Sequence, residues 1–220
     1  MSNKVRYINH DHLITRQNRA EKAFLATFAE TAPTMEAPQI EVNPYLINPL
    51  CALILFKTDE TVTPTVTIQG KRNERENISH TFKAGTEHIL PILGLYEDHE
   101  NIVTVELSDG RSNMLPIITE KLPADVCRCQ NISTSADYFG NDIMFLTPAG
   151  KNLPTGYDYK GDIRWLLTEN TMFDIKRMAN GNIVTGSSRF CHMPYNSTGI
   201  MELNLLGKVY KEYRMPGNYH

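Results

Sequence analysis

Residues 39–123 carry a succession of short strand-like runs separated by turn residues, and that spacing constrains the fold more than any other feature of the chain. Ile40 and Val42 lead into Asn43-Pro44, a turn. Residues 50–56 form a near-continuous apolar run, suited to a strand buried on both faces. Residues 61–69 set Val62, Pro64, Val66 and Ile68 against threonines with a period of two. The proline in that run predicts an edge position or a bulge. Further runs follow at 80–82, 86–90 and 102–107, then the turn Asp109-Gly110 and a last run at 114–119. Roughly seven short strands in about 85 residues predict an all-β sandwich. Leu93-Gly94-Leu95-Tyr96 resembles the tyrosine corner of such folds, a structural device rather than a chemical one.

On either side the pattern changes. Residues 1–38 place Leu13, Ile14, Phe24, Leu25 and Phe28 at near-helical spacing, with Glu21, Lys22 and Glu30 between them. This predicts one short amphipathic helix, ended by Pro33 and Pro38, which packs on the body or on a partner. Residues 124–140 are polar and read as a linker, and the third region spans 141–220.

Within that third region two stretches are alike. Asp158-Tyr159-Lys160-Gly161 and Asn204-Leu205-Leu206-Gly207 each sit between strand-like runs, their glycines 46 residues apart. Between them Asn180-Gly181 supplies the positive φ angles that a tight hairpin turn demands. A period of this length with several hairpins per period predicts the first blade or blades of a β-propeller. A blade buries its faces only against neighbouring blades, so the chain is expected to be a truncated fragment.

Composition narrows the function classes. Apolar residues make up 41% of the 220, enough for a proper core. A net charge of −3, with the basic run at 71–76 neutralised by Glu74 and Glu76, argues against a nucleic-acid partner. The sequence holds no apolar run of about 18 residues, so no membrane span is expected. The first seven residues lack the apolar core of a secretory signal. The protein is therefore expected in the cytoplasm, or in the periplasm or outside the cell if a signal has been removed. Cys51, Cys127, Cys129 and Cys191 lack the spacing of a zinc site and are expected as unpaired thiols, and His10 and His12 flank Asp11 without a further ligand. No metal and no cofactor are expected. His80, His88 and His99 are expected at the surface or at strand edges. Cys191-His192 suggests a hydrolytic nucleophile and base, but sequence neighbours rarely present both side chains to one point.

Val42-Asn43-Pro44-Tyr45, Pro49-Leu50 and the run His88-Ile89-Leu90-Pro91-Ile92-Leu93-Gly94-Leu95-Tyr96 resemble the Ig-like N-terminal domain of bacterial arylsulfate sulfotransferases. Gly161-Asp162-Ile163-Arg164-Trp165, the stretch 174–182 and the stretch 202–209 resemble the first propeller blade of that family, and Pro216-Gly217-Asn218-Tyr219-His220 resembles the segment leading into the next. The resemblance implies an Ig-like β-sandwich over 39–123 and the beginning of a β-propeller over 141–220. It implies transfer of a sulfuryl group from a phenolic sulfate donor to a phenol acceptor through a histidine intermediate, without a nucleotide donor, in a homodimeric enzyme. Imidazole is a good nucleophile near neutral pH, and cations stabilise an oxyanion-rich transition state. The nucleophile and its arginine are expected on later blades, leaving this fragment inactive alone. His220 is the catalytic-site candidate here, implied to bind or polarise the ester rather than attack it, against the alternative of a histidine without a role. The competing assignment is a non-catalytic Ig-like binding module, complete as it stands.

Overall fold

A computed structural model of the chain describes residues 11–147, 153–169, 171–187, 191–192, 196–197 and 199–214. The first element, α1 (Asp11–Thr31), is followed by seven strands: β1 (Gln39–Val42), β2 (Cys51–Val62), β3 (Pro64–Ile68), β4 (Ile78–Thr81), β5 (Gly85–Leu93), β6 (His99–Leu107) and β7 (Ser112–Thr119). All pairings are antiparallel, in two sheets of order β1-β2-β5 and β4-β3-β6-β7. The two sheets face each other across one apolar core, to which Ala52, Ile54 and Phe56 contribute from one sheet and Val66, Val103, Val105 and Ile117 from the other. This is the expected Ig-like sandwich.

The run at 50–56 is buried on both faces, as its unbroken apolarity predicts. Its alternate residues Cys51, Leu53 and Leu55 face away from the sandwich core and are covered by Phe24 and Phe28 of α1. Leu13, Gln17, Phe24 and Phe28 are the buried stripe of that helix, one position every four or seven residues. Each buried phenylalanine contributes roughly 1.5–3 kcal/mol. The helix thus packs on the body. Burial also raises the Cys51 thiol far above its ordinary pKa, so it behaves as a small apolar side chain.

The run at 61–69 is not one strand at an edge. β2 continues through Val62, the chain crosses to the other sheet at Thr63, and Pro64 opens β3, an inner strand between β4 and β6. A strand's first residue is where a missing N–H is tolerated. The carbonyl of Pro64 still accepts from the Phe82 amide at 2.8 Å.

His88 also departs from expectation, being only 3% exposed. Its ring stacks on Phe56 at 4.6 Å, and its Nε2 lies 3.2 Å from the Thr58 hydroxyl. Burial holds its pKa below the ordinary histidine value. His99 is lowered too, by burial and then by Lys71. The unfolded chain therefore takes up protons near pH 6.5, before the folded one does, so stability is full above that pH and falls as pH drops through the window below it. Substituting His88→Gln is expected to flatten the urea-midpoint profile between about pH 5 and 7. A profile of unchanged slope would contradict the assignment.

Beyond the sandwich, the polar stretch 124–140 contains α2 (Ala136–Phe139) and is partly packed down. Val126 is buried with Leu50, Leu122 and Tyr157, and the Tyr157 hydroxyl donates to the Cys127 carbonyl at 2.6 Å. Then β8 (Met144–Leu146), β9 (Thr155–Tyr157) and β10 (Ile163–Leu166) form a three-stranded antiparallel sheet. β11 (Thr171–Arg177), β12 (Ile183–Ser187), β15 (Gly199–Leu203) and β16 (Val209–Arg214) form a four-stranded meander in that order. β13 (Cys191–His192) and β14 (Asn196–Ser197) pair with each other.

The hairpins β9–β10, β11–β12 and β15–β16 share one turn. In each, a glycine N–H bonds to the carbonyl three residues earlier, and that earlier residue's N–H bonds to the carbonyl following the glycine. Gly161, Gly181 and Gly207 take the left-handed conformation at φ 75°, 85° and 92°. This is a type I turn closed by a glycine bulge. Asn180 keeps negative φ, so the expected two-residue Asn-Gly turn is replaced. Its Oδ1 accepts instead from the Asn182 amide at 3.0 Å.

Candidate functional site

His220 and His10 lie outside the described residues, as do the side chains of Asp11, His12, Cys191 and His192. Among the described residues no cluster of three or more His, Cys, Asp or Glu is placed to hold a metal ion, and no helix is long and apolar enough to cross a membrane. Cys127 and Cys129 are exposed free thiols. His80, exposed on β4, meets Phe82 edge-on at 4.6 Å.

The charged side chains gather instead at the seam between the sandwich and the sheet β8–β10. The β9–β10 turn is tied by Asp158, whose Oδ1 accepts from the amides of Lys160 and Asp162 at 2.9 and 3.0 Å. Its Oδ2 takes Arg164 Nη1 at 3.0 Å, and both side chains are nearly inaccessible. Arg164 Nε reaches across to the carbonyl of Gly94 at 2.8 Å, and its guanidinium lies 3.7 Å from the centre of the Tyr96 ring. Gly94 stands at φ 94°, the left-handed region, as β5 ends.

Glu76 completes the seam. It sits in a 3-10 turn (Glu74–Glu76) after β3 and is 3% exposed. Its carboxylate accepts from the Arg72 amide at 3.1 Å, from Arg72 Nη1 at 3.2 Å, and from the hydroxyls of Tyr96 and Tyr159 at 3.4 Å. Arg72 also holds Asp162 at 2.6 Å. Burial opposes the charge of Arg72, but its bonds to Asp162 and Glu76 outweigh that and raise its pKa. Burial likewise pushes the Tyr96 hydroxyl up to about 12, against the pull of Arg164. Tyr96 therefore does pin the chain, through Glu76 and the Lys71 amide, 3.4 Å from its hydroxyl oxygen. Every carboxylate here is matched by a cation or hydroxyl. Of these seam groups, Arg164 Nη2 is the buried one without a partner among the described residues, and Arg164 lines a cavity of about 10 Å3 with Glu76 and Tyr159, room for one water molecule. Such a cluster orders two sheets; it offers no free nucleophile. A charged residue inside the apolar run Ile163-Arg164-Trp165-Leu166-Leu167 was the sequence signal for it.

Two clefts flank the seam and meet at Ile78 and Leu93. One, of about 700 Å3, opens between the edge strands β4 and β5 and is walled by Val66, Ile68, Phe82 and Ile92. The other, of about 380 Å3, is bordered by Phe145, Trp165, Asp142 and Arg177.

Comparison with known proteins decides the family. The profile described as the arylsulfotransferase Ig-like domain matches residues 39–123, and the profile described as arylsulfotransferase (ASST) matches residues 128–220. The chain belongs to the arylsulfotransferase family. It is similar to arylsulfate sulfotransferase AssT of Lelliottia amnigena, 32% identical over 98 residues, an alignment covering 43% of this chain. The alignment spans only 16% of that relative's length. In the family's terms, the seam joins the two matched regions: Glu76, Gly94 and Tyr96 belong to the first, Asp158, Asp162 and Arg164 to the second. Helix α1 precedes both matched regions.

Proposed function

We propose that this arylsulfotransferase moves a sulfuryl group from a phenolic sulfate ester to a phenol, without a nucleotide donor. The observation that carries this is the pair of family matches, which run through both the sandwich and the C-terminal sheets. In this proposal the four-stranded meander β11-β12-β15-β16, which has the strand number and order of a propeller blade, is one blade of the catalytic unit. The seam around Arg164 holds the Ig-like domain against it.

The proposed chemistry runs in two displacements. A histidine imidazole nitrogen attacks the ester sulfur, the S–O bond breaks, and the phenolate leaves. The oxygen of the acceptor phenol then attacks the sulfohistidine, losing its proton as the S–N bond breaks. Cationic side chains stabilise the crowded oxyanion in both steps. His220 is assigned to binding the sulfate oxygens of the ester.

The test is a transfer assay on the protein that carries this chain together with the proposed later blades, with p-nitrophenyl sulfate as donor and phenol as acceptor. Release of p-nitrophenolate is expected to require phenol and to yield phenyl sulfate. Substituting His220→Asn is expected to lower kcat/KM about 10²–10³-fold, as losing one such stabilising group does. Equal release with and without phenol would make the protein a hydrolase and overturn the transfer. Full activity in the variant would remove His220 from the site.

A further inference from the structure

The smaller cleft beside the seam combines an aromatic wall with a single arginine. Its wall on the C-terminal side is an aromatic pair, Phe145 of β8 meeting Trp165 of β10 at 5.0 Å with the rings at 68°. Trp165 is held in place by its indole N–H, which donates to the Leu205 carbonyl at 2.8 Å, while Phe145 keeps 39% of its surface exposed. Ile78 and Leu93 of the sandwich form the facing wall. Arg177, the last residue of β11, stands at the border, exposed and without an ion-pair partner among the described residues. Asp142 is the other charged residue on the lining.

We propose that this cleft is a binding site for a single-ring aromatic anion, its ring packed on Phe145 against the Ile78–Leu93 wall and its anionic group taken by Arg177. The volume of about 380 Å3 lies within the range of small-ligand pockets. The exposed part of Phe145 offers an aromatic partner with the Trp165 ring already fixed behind it. An unpaired guanidinium is the group that recognises a planar or tetrahedral oxyanion through two parallel hydrogen bonds. Asp142 sets the affinity from the opposite direction, by repelling the same charge. The proposal does not depend on transfer activity.

Trp165 is the single tryptophan of the 220 residues, so it reports the cleft directly. The probe is 4-nitrobenzenesulfonate, whose C–S bond offers no ester to transfer and whose nitroarene quenches indole emission. The 220-residue chain is expected to show saturable quenching. Arg177→Gln is expected to weaken binding about tenfold, the effect of removing one charge-assisted contact. Phe145→Ala is expected to weaken it as well, Asp142→Asn to tighten it, and His80→Asn, in the larger cleft, to leave it unchanged. Unliganded emission and far-UV spectra of the Arg177→Gln variant should match the parent, since that side chain is exposed. Quenching that never saturates, an equal affinity in Arg177→Gln, or an equal affinity for neutral 4-nitrotoluene would overturn the proposal. Loss of quenching in His80→Asn would also overturn it by locating the ligand in the larger cleft.

Discussion

Replacing Arg164 by leucine is expected to destabilise the protein by about 3–5 kcal/mol, the range for removing one partner of a buried ion pair. The side chain carries an ion pair to Asp158, a hydrogen bond to Gly94 and a stack on Tyr96, all out of water. In the variant Asp158 keeps its charge in a buried place with two backbone donors but no cation. Adding Asp158→Asn should restore part of the loss, because an amide oxygen can still accept from Lys160 and Asp162 while the charge is gone. The measurement is the urea midpoint of the single and double variants, read by two probes, Trp165 emission and far-UV signal. Loss of less than about 1 kcal/mol in the single variant would show the pair to be worth no more than an exposed one.

A second large effect is expected at Gln17, which has no accessible surface. Its Nε2 donates to the carbonyls of Tyr45 and Gly207 at 2.8 and 2.9 Å, and its Oε1 accepts from the Val209 amide at 2.9 Å. One side chain thus ties the loop after β1 to the β15–β16 turn. Gln17→Leu fills similar space but leaves three backbone groups without partners in a buried setting. At roughly 1–3 kcal/mol for each orphaned group, and less than additive, a loss of about 2–4 kcal/mol is expected. Hydrogen exchange at Val209 should accelerate in step. Glu21→Gln, by contrast, weakens a partly buried pair with Lys208 but leaves no backbone group without a partner, and should cost less, about 1 kcal/mol. Equal costs for the two substitutions would contradict this account.

The sandwich was legible because its information is local. Alternation at 62–68, the doubly buried run at 50–56 and the turn at Asp109-Gly110 each follow from residues within a few positions. The crossing at Thr63 was not legible, since a strand-forming run through Pro64 looks the same whether it continues in one sheet or changes sheets. The repeated hairpins were legible as glycine turns, but the glycines stand 20 and 26 residues apart, in sheets of three and four strands. The matched pair 46 residues apart captured two turns of one type, not two equivalent sheets. Gln17 gave no warning of its role, because its partners lie up to 192 residues away. The same holds for the aromatic cleft: Phe145, Trp165 and Arg177 come from three strands, and no spacing rule joins them. Arg164 did carry a signal, an arginine inside an apolar run, yet its partners Gly94 and Tyr96 came only with the fold.

The position of α1 has a consequence for how the polypeptide is made. The helix leaves the ribosome first, whereas Gly207 and Val209, which complete the hydrogen bonds of Gln17, leave about 190 residues later. At roughly 5–20 residues per second, that is a delay of about 10–40 seconds. Through that interval Phe24 and Phe28 can settle on Leu53 and Leu55 of the nascent sandwich, and Gln17 and Glu21 can meet Tyr45, but their bonds to Gly207, Val209 and Lys208 wait for residues not yet translated. The amino end of the helix is therefore the last part of the early chain to lock, and a chaperone that captures nascent segments would find its substrate there.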